Sequence, residues 1–150
     1  MRGHSRRHWA RRLPVRLRFE HGLRDVFPDL SISYIERVDR VGAAYRLSVP
    51  VKGYGARRLT IRVKNVYRPE PRVFADGPTA SPHRWYHRGG DLCMWHPHDP
   101  PTSRWHPAHG LLALVRHAQL HLFREAWWRE KGEWLGPEAP HGRPGQAGSV

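Results

Sequence analysis

The chain has 150 residues, 26 of them Lys or Arg against 13 Asp or Glu, giving a formal net charge of +13. Its length suits one domain with a buried core, and its 39% hydrophobic content is low but globular. A single cysteine excludes an internal disulfide framework, and the longest apolar run, residues 111–115, is far too short to span a bilayer. Arg2, Arg6, Arg7, Arg11 and Arg12 crowd residues 1–12, which are expected to form a basic, flexible arm. No apolar segment of a signal peptide comes after them, so a cytoplasmic protein is expected, in a compartment where a free thiol persists.

Pro14 suits the first turn of a helix. Val15, Phe19, Leu23, Val26 and Phe27 recur at i, i+4, i+8, i+11 and i+12 and predict its buried face. Phe27-Pro28-Asp29 ends it. Residues 30–36 and 44–51 read as strands, with Pro50 favouring an edge or an end. Leu59, Ile61, Val63 and Val66 mark a third strand whose Arg58, Thr60, Arg62 and Lys64 face outward. Val41-Gly42 and Gly53-Tyr54-Gly55 supply turns, so an antiparallel meander is the economical topology. A bend braced by Pro69 and Pro71 leads to a short fourth strand over residues 72–75 and a loop over 76–81. Residues 109–130 predict a long helix that buries Leu111, Leu114, Val115, Ala118, Leu122 and Trp127. Residues 132–150 are rich in Gly and Pro, and a disordered tail is expected over 142–150. The element order gives an α+β domain, helices against one antiparallel sheet.

Between the fourth strand and the long helix lies PHRWYHRGGDLCMWHPHDPPTSRWHP, residues 82–107. It holds Cys93, five of the twelve histidines and the tryptophans Trp85, Trp95 and Trp105. A reactive side chain on an irregular segment between rigid elements is where chemistry is usually placed. A lone cysteine is by default a small buried hydrophobe. Cys93-x-x-His96-x-His98 offers good zinc ligands, but the spacing is not that of a structural zinc site, so no metal is expected. No cofactor is expected either.

His83 stands ten residues before Cys93, Gly90-Asp91-Leu92-Cys93-Met94 surrounds the thiol, and Trp105-His106-Pro107 leads into the long helix. In these respects the chain resembles the ubiquitin-conjugating (E2) family, in which a His-Pro-Asn element precedes a Gly-x-Ile-Cys-Leu core. With His83-Arg84-Trp85, Leu92-Cys93-Met94-Trp95 and the ending Trp134-Leu135-Gly136-Pro137-Glu138-Ala139-Pro140-His141, it looks most like the bacterial E2-like proteins of CBASS antiphage operons. The resemblance covers residues 13–141 and implies a UBC-like fold: a first helix, a four-strand meander, an irregular cysteine segment and a central helix. It implies a thioester between Cys93 and the C-terminus of a partner, expected to be a cGAS-like nucleotide synthase, with transfer to an acceptor.

By the same resemblance His83 shapes the loop through hydrogen bonds, or acts as a base if it reaches the thiol. Asp99, Glu138 and His141 are candidate proton acceptors for an incoming amine. Trp85, Gly90, Leu92, Met94, Trp95 and Trp105 are the expected substrate-binding residues. The family's asparagine is replaced by Trp85, which keeps open a non-catalytic adaptor of the same fold. No adenylating motif is present, so either a separate activating enzyme is a partner or no activation is needed. No membrane partner is expected. The basic arm would bind nucleic acid only non-specifically, because no recognition helix or RNP-type strand is present.

Overall fold

The computed structural model describes residue 9 and residues 12–37, 40–63, 71–96 and 98–137. The elements are α1 (Leu13–Val26), β1 (Ser31–Arg37), β2 (Arg40–Val51), β3 (Gly55–Val63), β4 (Pro71–Ala75), β5 (Arg84–Trp85), β6 (Asp91–Leu92) and α2 (Gly110–Lys131). Strands β1 to β4 pair in sequence order, all antiparallel, as the expected meander.

Period-two alternation builds that sheet. Tyr45, Leu47 and Val49 of β2, Leu59 and Ile61 of β3 and Val73 of β4 are almost wholly buried on one face. Arg46, Arg58 and Arg62 point to solvent from the other. Leu111, Leu114, Val115 and Ala118 of α2 join the same core, and α1 packs beside α2. Pro50 sits one residue from the end of β2, where its missing N–H costs least.

Four expectations need correction. Val41 and Gly42 are not a turn: they pair with Glu36 and Ile35 inside the β1–β2 ladder, so cross-strand pairing overrides the turn propensity of Gly42. Val26 is 42% exposed, because the buried face of α1 is rotated toward Glu20, Leu23 and Phe27. Trp127 lies only partly buried, because Glu125 takes the core-facing position two residues earlier. The small β5–β6 hairpin was not expected, its two-residue strands being too short for a periodic signal. Lys64, Val66 and most of the proline bend lie outside the described residues.

Glu20 is buried because two phenols satisfy it. Tyr34 and Tyr45 donate to its two carboxylate oxygens at 2.7 and 2.8 Å. Burial, then the hydrogen bond and charge of Glu20, pushes the Tyr34 hydroxyl up to about 12. Trp9, on the basic arm, is also buried, its ring 5.6 Å from Phe19.

The α1–α2 crossing depends on a glycine. Gly110 opens α2 with φ +83, and a Cβ there would meet the Phe19 ring at 3.2 Å. Its carbonyl accepts the indole N–H of Trp105 at 2.8 Å. Gly110→Ala therefore combines positive-φ strain with a tight contact, and a loss of about 1–3 kcal/mol is expected in urea unfolding. A neutral result would mean that Phe19 yields freely.

Candidate active site

Two glycines set the position of the thiol. Gly89 and Gly90 have φ of +97 and +87, a region glycine enters without steric cost. Gly89 N–H donates to the Tyr86 carbonyl at 3.2 Å and Gly90 N–H to that of Trp85 at 3.0 Å. The turn lets β5 and β6 pair, Trp85 opposite Asp91 and Arg84 opposite Leu92. One step further along the same register, His83 stands opposite Cys93, and Cys93 N–H donates to the His83 carbonyl at 3.0 Å. The ten-residue spacing of this histidine and cysteine is thus the register of a hairpin.

Cys93 is 5% exposed, and its Sγ lies 3.7 Å from the Trp95 carbonyl, a weak S–H donor contact. It opens into a cleft of ≈ 240 Å³. The cysteine segment supplies Met94, Trp95, His96, Asp99 and Ser103 to the wall. The opposite wall is one face of α2, with His117, Leu120, His121 and Arg124 at i, i+3, i+4 and i+7. His83, Trp134 and Pro137 close the end.

The His83 imidazole is buried, its ring 3.9 Å from that of Trp134 and 6.4 Å from that of His121. His117 lies edge-on to Trp95 with ring centroids 5.7 Å apart. Burial, then the charges of His109 and Arg124, pushes its pKa below 6.5, so at neutral pH it is a neutral proton acceptor.

Behind the α2 wall lies an ion cluster. Glu125 is fully buried and takes two hydrogen bonds from Arg84, at 2.9 Å to Nε and 2.7 Å to Nη2. Arg129 stands 3.5 Å away and His121 Nε2 3.6 Å away. Arg129 also donates to the carbonyls of Pro78 at 2.8 Å and Ala80 at 2.9 Å, and Arg84 to that of Pro78 at 3.3 Å. The cluster therefore ties the loop before β5 to α2. Burial raises the Glu125 carboxyl, but Arg84 and then His121 outweigh it and hold the group down to about 2.

The expected site residues divide. Cys93, His83, Met94, Trp95 and Asp99 meet at the cleft. Asp99 is also a turn residue, accepting His96 N–H at 2.7 Å. Trp85, Gly90, Leu92 and Trp105 are not among the residues of the cleft wall. Gly90 turns the hairpin, Leu92 and Trp105 are buried in the core, and Trp85 packs edge-on to His87. Glu138 and His141 lie outside the described residues. His98 N–H donates to His96 Nδ1 at 3.1 Å, which occupies one ring nitrogen of the Cys93-x-x-His96-x-His98 pattern. Among the described residues no group of three or more His, Cys, Asp or Glu is arranged to hold a metal ion. Sequence reasoning missed His117, His121 and Arg124. Their spacing on one helical face was the available signal.

A depressed carboxyl stabilises the fold fully above its unfolded value, and that contribution is lost as pH falls through the folded one. For Glu125 the window runs from 4.5 down to about 2. Glu125→Gln should shrink the acid loss of stability in that window. At neutral pH it should cost about 3–5 kcal/mol by leaving Arg84 without its anion. Urea unfolding at a series of pH values reads both, and an unchanged acid limb would refute the assignment.

The family model described as "Type II CBASS E2 protein" matches residues 26–142, a span that takes in the sheet, the cysteine segment and α2. Comparison with curated proteins and with solved structures finds no match. No helix among the described residues is long and apolar enough to cross a membrane. With the meander, the cysteine hairpin and the central helix in the expected order, the chain belongs to the type II CBASS E2 proteins, an E2-like family with a role in antiphage defence.

Proposed function

We propose that Cys93 takes up the C-terminal acyl group of a partner protein as a thioester and passes it to an acceptor. The observation that carries this reading is the convergence of the one thiol of the chain with His117 and Arg124 in a single cleft. A thiolate attacks an acyl carbon readily, and the thioester formed stays reactive toward amines. The partner is a nucleotide synthase of the cGAS-like type acting in the same defence system. Its acyl group arrives activated, as a thioester on a separate enzyme, so that thiol exchange needs no further energy input. Cys93 is almost buried, so the tail reaches it as an extended strand entering the cleft. When an acceptor amine attacks, its proton needs an acceptor, and the neutral imidazole of His117 is suited to take it.

The test is intact mass of the protein copurified with its operon neighbours, with and without reductant. Wild type should carry a partner-sized adduct that thiols remove. Cys93→Ser should carry a thiol-resistant ester or nothing. An unmodified wild type, together with full activity of Cys93→Ser in cells, would sink the enzyme reading and leave a binding module on the same scaffold.

A further inference from the structure

The cleft carries a cation that the fold itself does not use. Arg124 lies part-buried in the wall opposite the cysteine segment. The three other arginines and lysines that touch carboxylates on this helix and beside it are engaged: Arg84 and Arg129 with Glu125, Lys131 with Glu130. Arg124 makes no hydrogen bond or ion pair among the described residues. The one carboxylate of the cleft wall, Asp99, is held by His96 N–H. A part-buried guanidinium without an anion costs free energy, and the cost is offset when an anionic oxygen arrives.

The guanidinium also lies against the C-terminal segment. A Cβ at position 136 would lie 2.7 Å from Arg124 Cζ and 2.8 Å from its Nε, so the missing side chain of Gly136 makes the space that it fills. Gly136 has φ +138, which suits glycine, and it comes two residues after Trp134, whose ring rests on His83 at the end of the cleft. The C-terminal segment therefore covers one side of the Arg124 guanidinium at the end of the cleft. A donor beside the site where negative charge develops is what acyl transfer needs.

We infer that Arg124 is the oxyanion-binding residue of the cleft, donating to the acyl oxygen of an ester or thioester while Cys93 adds to its carbonyl carbon. The inference deepens the acyl-transfer reading above and rests on it. In the step, the thiol proton goes to water and Sγ forms a bond to the acyl carbon. The carbonyl π pair moves onto oxygen, where Arg124 receives it. Collapse of that oxyanion expels the leaving thiolate or alkoxide, and Cys93 keeps the acyl group. In the second half the acceptor amine forms the same oxyanion and Sγ leaves.

Cys93 is the only cysteine, so two reagents can be read on one atom. p-Nitrophenyl acetate acylates it through a tetrahedral oxyanion, whereas iodoacetamide alkylates it by displacement with no oxyanion. Any effect of Arg124 on thiolate population moves both rates together, so their ratio isolates the oxyanion. Arg124→Gln should slow acylation by about 100-fold and alkylation by no more than about 2-fold, with Arg124→Lys between Gln and wild type. Circular dichroism of each variant, and site assignment of the acetyl group by mass, accompany the rates.

Parallel loss of both rates, an unchanged acylation rate, or a wild type that alkylates but does not acylate each overturns the proposal. So does equal failure of the Lys and Gln variants with a lost fold, since Arg124 is then a structural residue. A partner adduct on Cys93 that forms equally fast without Arg124 removes this inference and leaves the proposed function. Selective loss of ester acylation with no partner adduct in cells does the reverse.

Discussion

The buried carboxylate of Glu125 is the constraint on which the geometry of the cleft depends. It sits on α2 with no exposed surface, and Arg84, Arg129 and His121 converge on it. A buried ion pair is a poor source of net stability, since desolvating both charges cancels much of their attraction. Its yield here is position. Arg84 and Arg129 each share their donors between Glu125 and the carbonyls of the 78–80 loop, so one carboxylate fixes that loop and β5 against the helix. Arg84 is the immediate neighbour of His83, whose carbonyl holds Cys93. The distance from the thiol to the α2 wall is thus set by the Arg84–Glu125 bonds together with the apolar packing of Leu92 against the α2 core.

The hairpin completes that chain on the other side. Its register is pinned by the Gly89-Gly90 turn, and one residue of slip would turn Cys93 away from the position opposite His83. Tyr86, 56% exposed as a residue, still anchors its hydroxyl on the Thr79 and Ser81 carbonyls at 2.7 and 2.9 Å. Both ends of the β5 strand are therefore fastened, one to the loop and one to α2. Such fastening matters for the proposed nucleophile, Cys93, because it is nearly buried and small errors in placement cost rate steeply.

The division between what the sequence reveals and what it hides comes from the physics of each signal. Alternating Tyr45, Leu47, Val49 and the run Leu59, Ile61 announce strands because burial of apolar side chains has period two. Leu111, Leu114, Val115, Ala118 and Leu122 announce the helix in the same way. The stripe then continues through His121 and Glu125, which a search for apolar residues passes over, and Trp127 looks like its natural extension. A buried charge is legible only with its partner, and Arg84 is forty-one residues away from Glu125 in the chain. The His83–Cys93 spacing was legible as a family pattern, and its meaning as a hairpin register was not. The family resemblance placed Trp85 and Trp105 at the substrate, yet neither lines the cleft, and the indole of Trp105 bonds to Gly110 at the helix start.

The two walls of the cleft differ in kind, and the difference suits the proposed acyl transfer. The thiol is on an irregular segment that an incoming strand can lie along. The groups suited to bind charge and move protons, His117 and Arg124, are on a rigid helix two turns apart. The positive charge at Arg124 has a second effect on the same wall, since it helps hold His117 in its neutral form. One field thus favours an anionic oxygen in the cleft and keeps a proton acceptor beside it. The net charge of +13 extends that field over the whole molecule. It raises the encounter rate with acidic surfaces, whereas the Arg124 guanidinium beside Gly136 acts only inside the cleft.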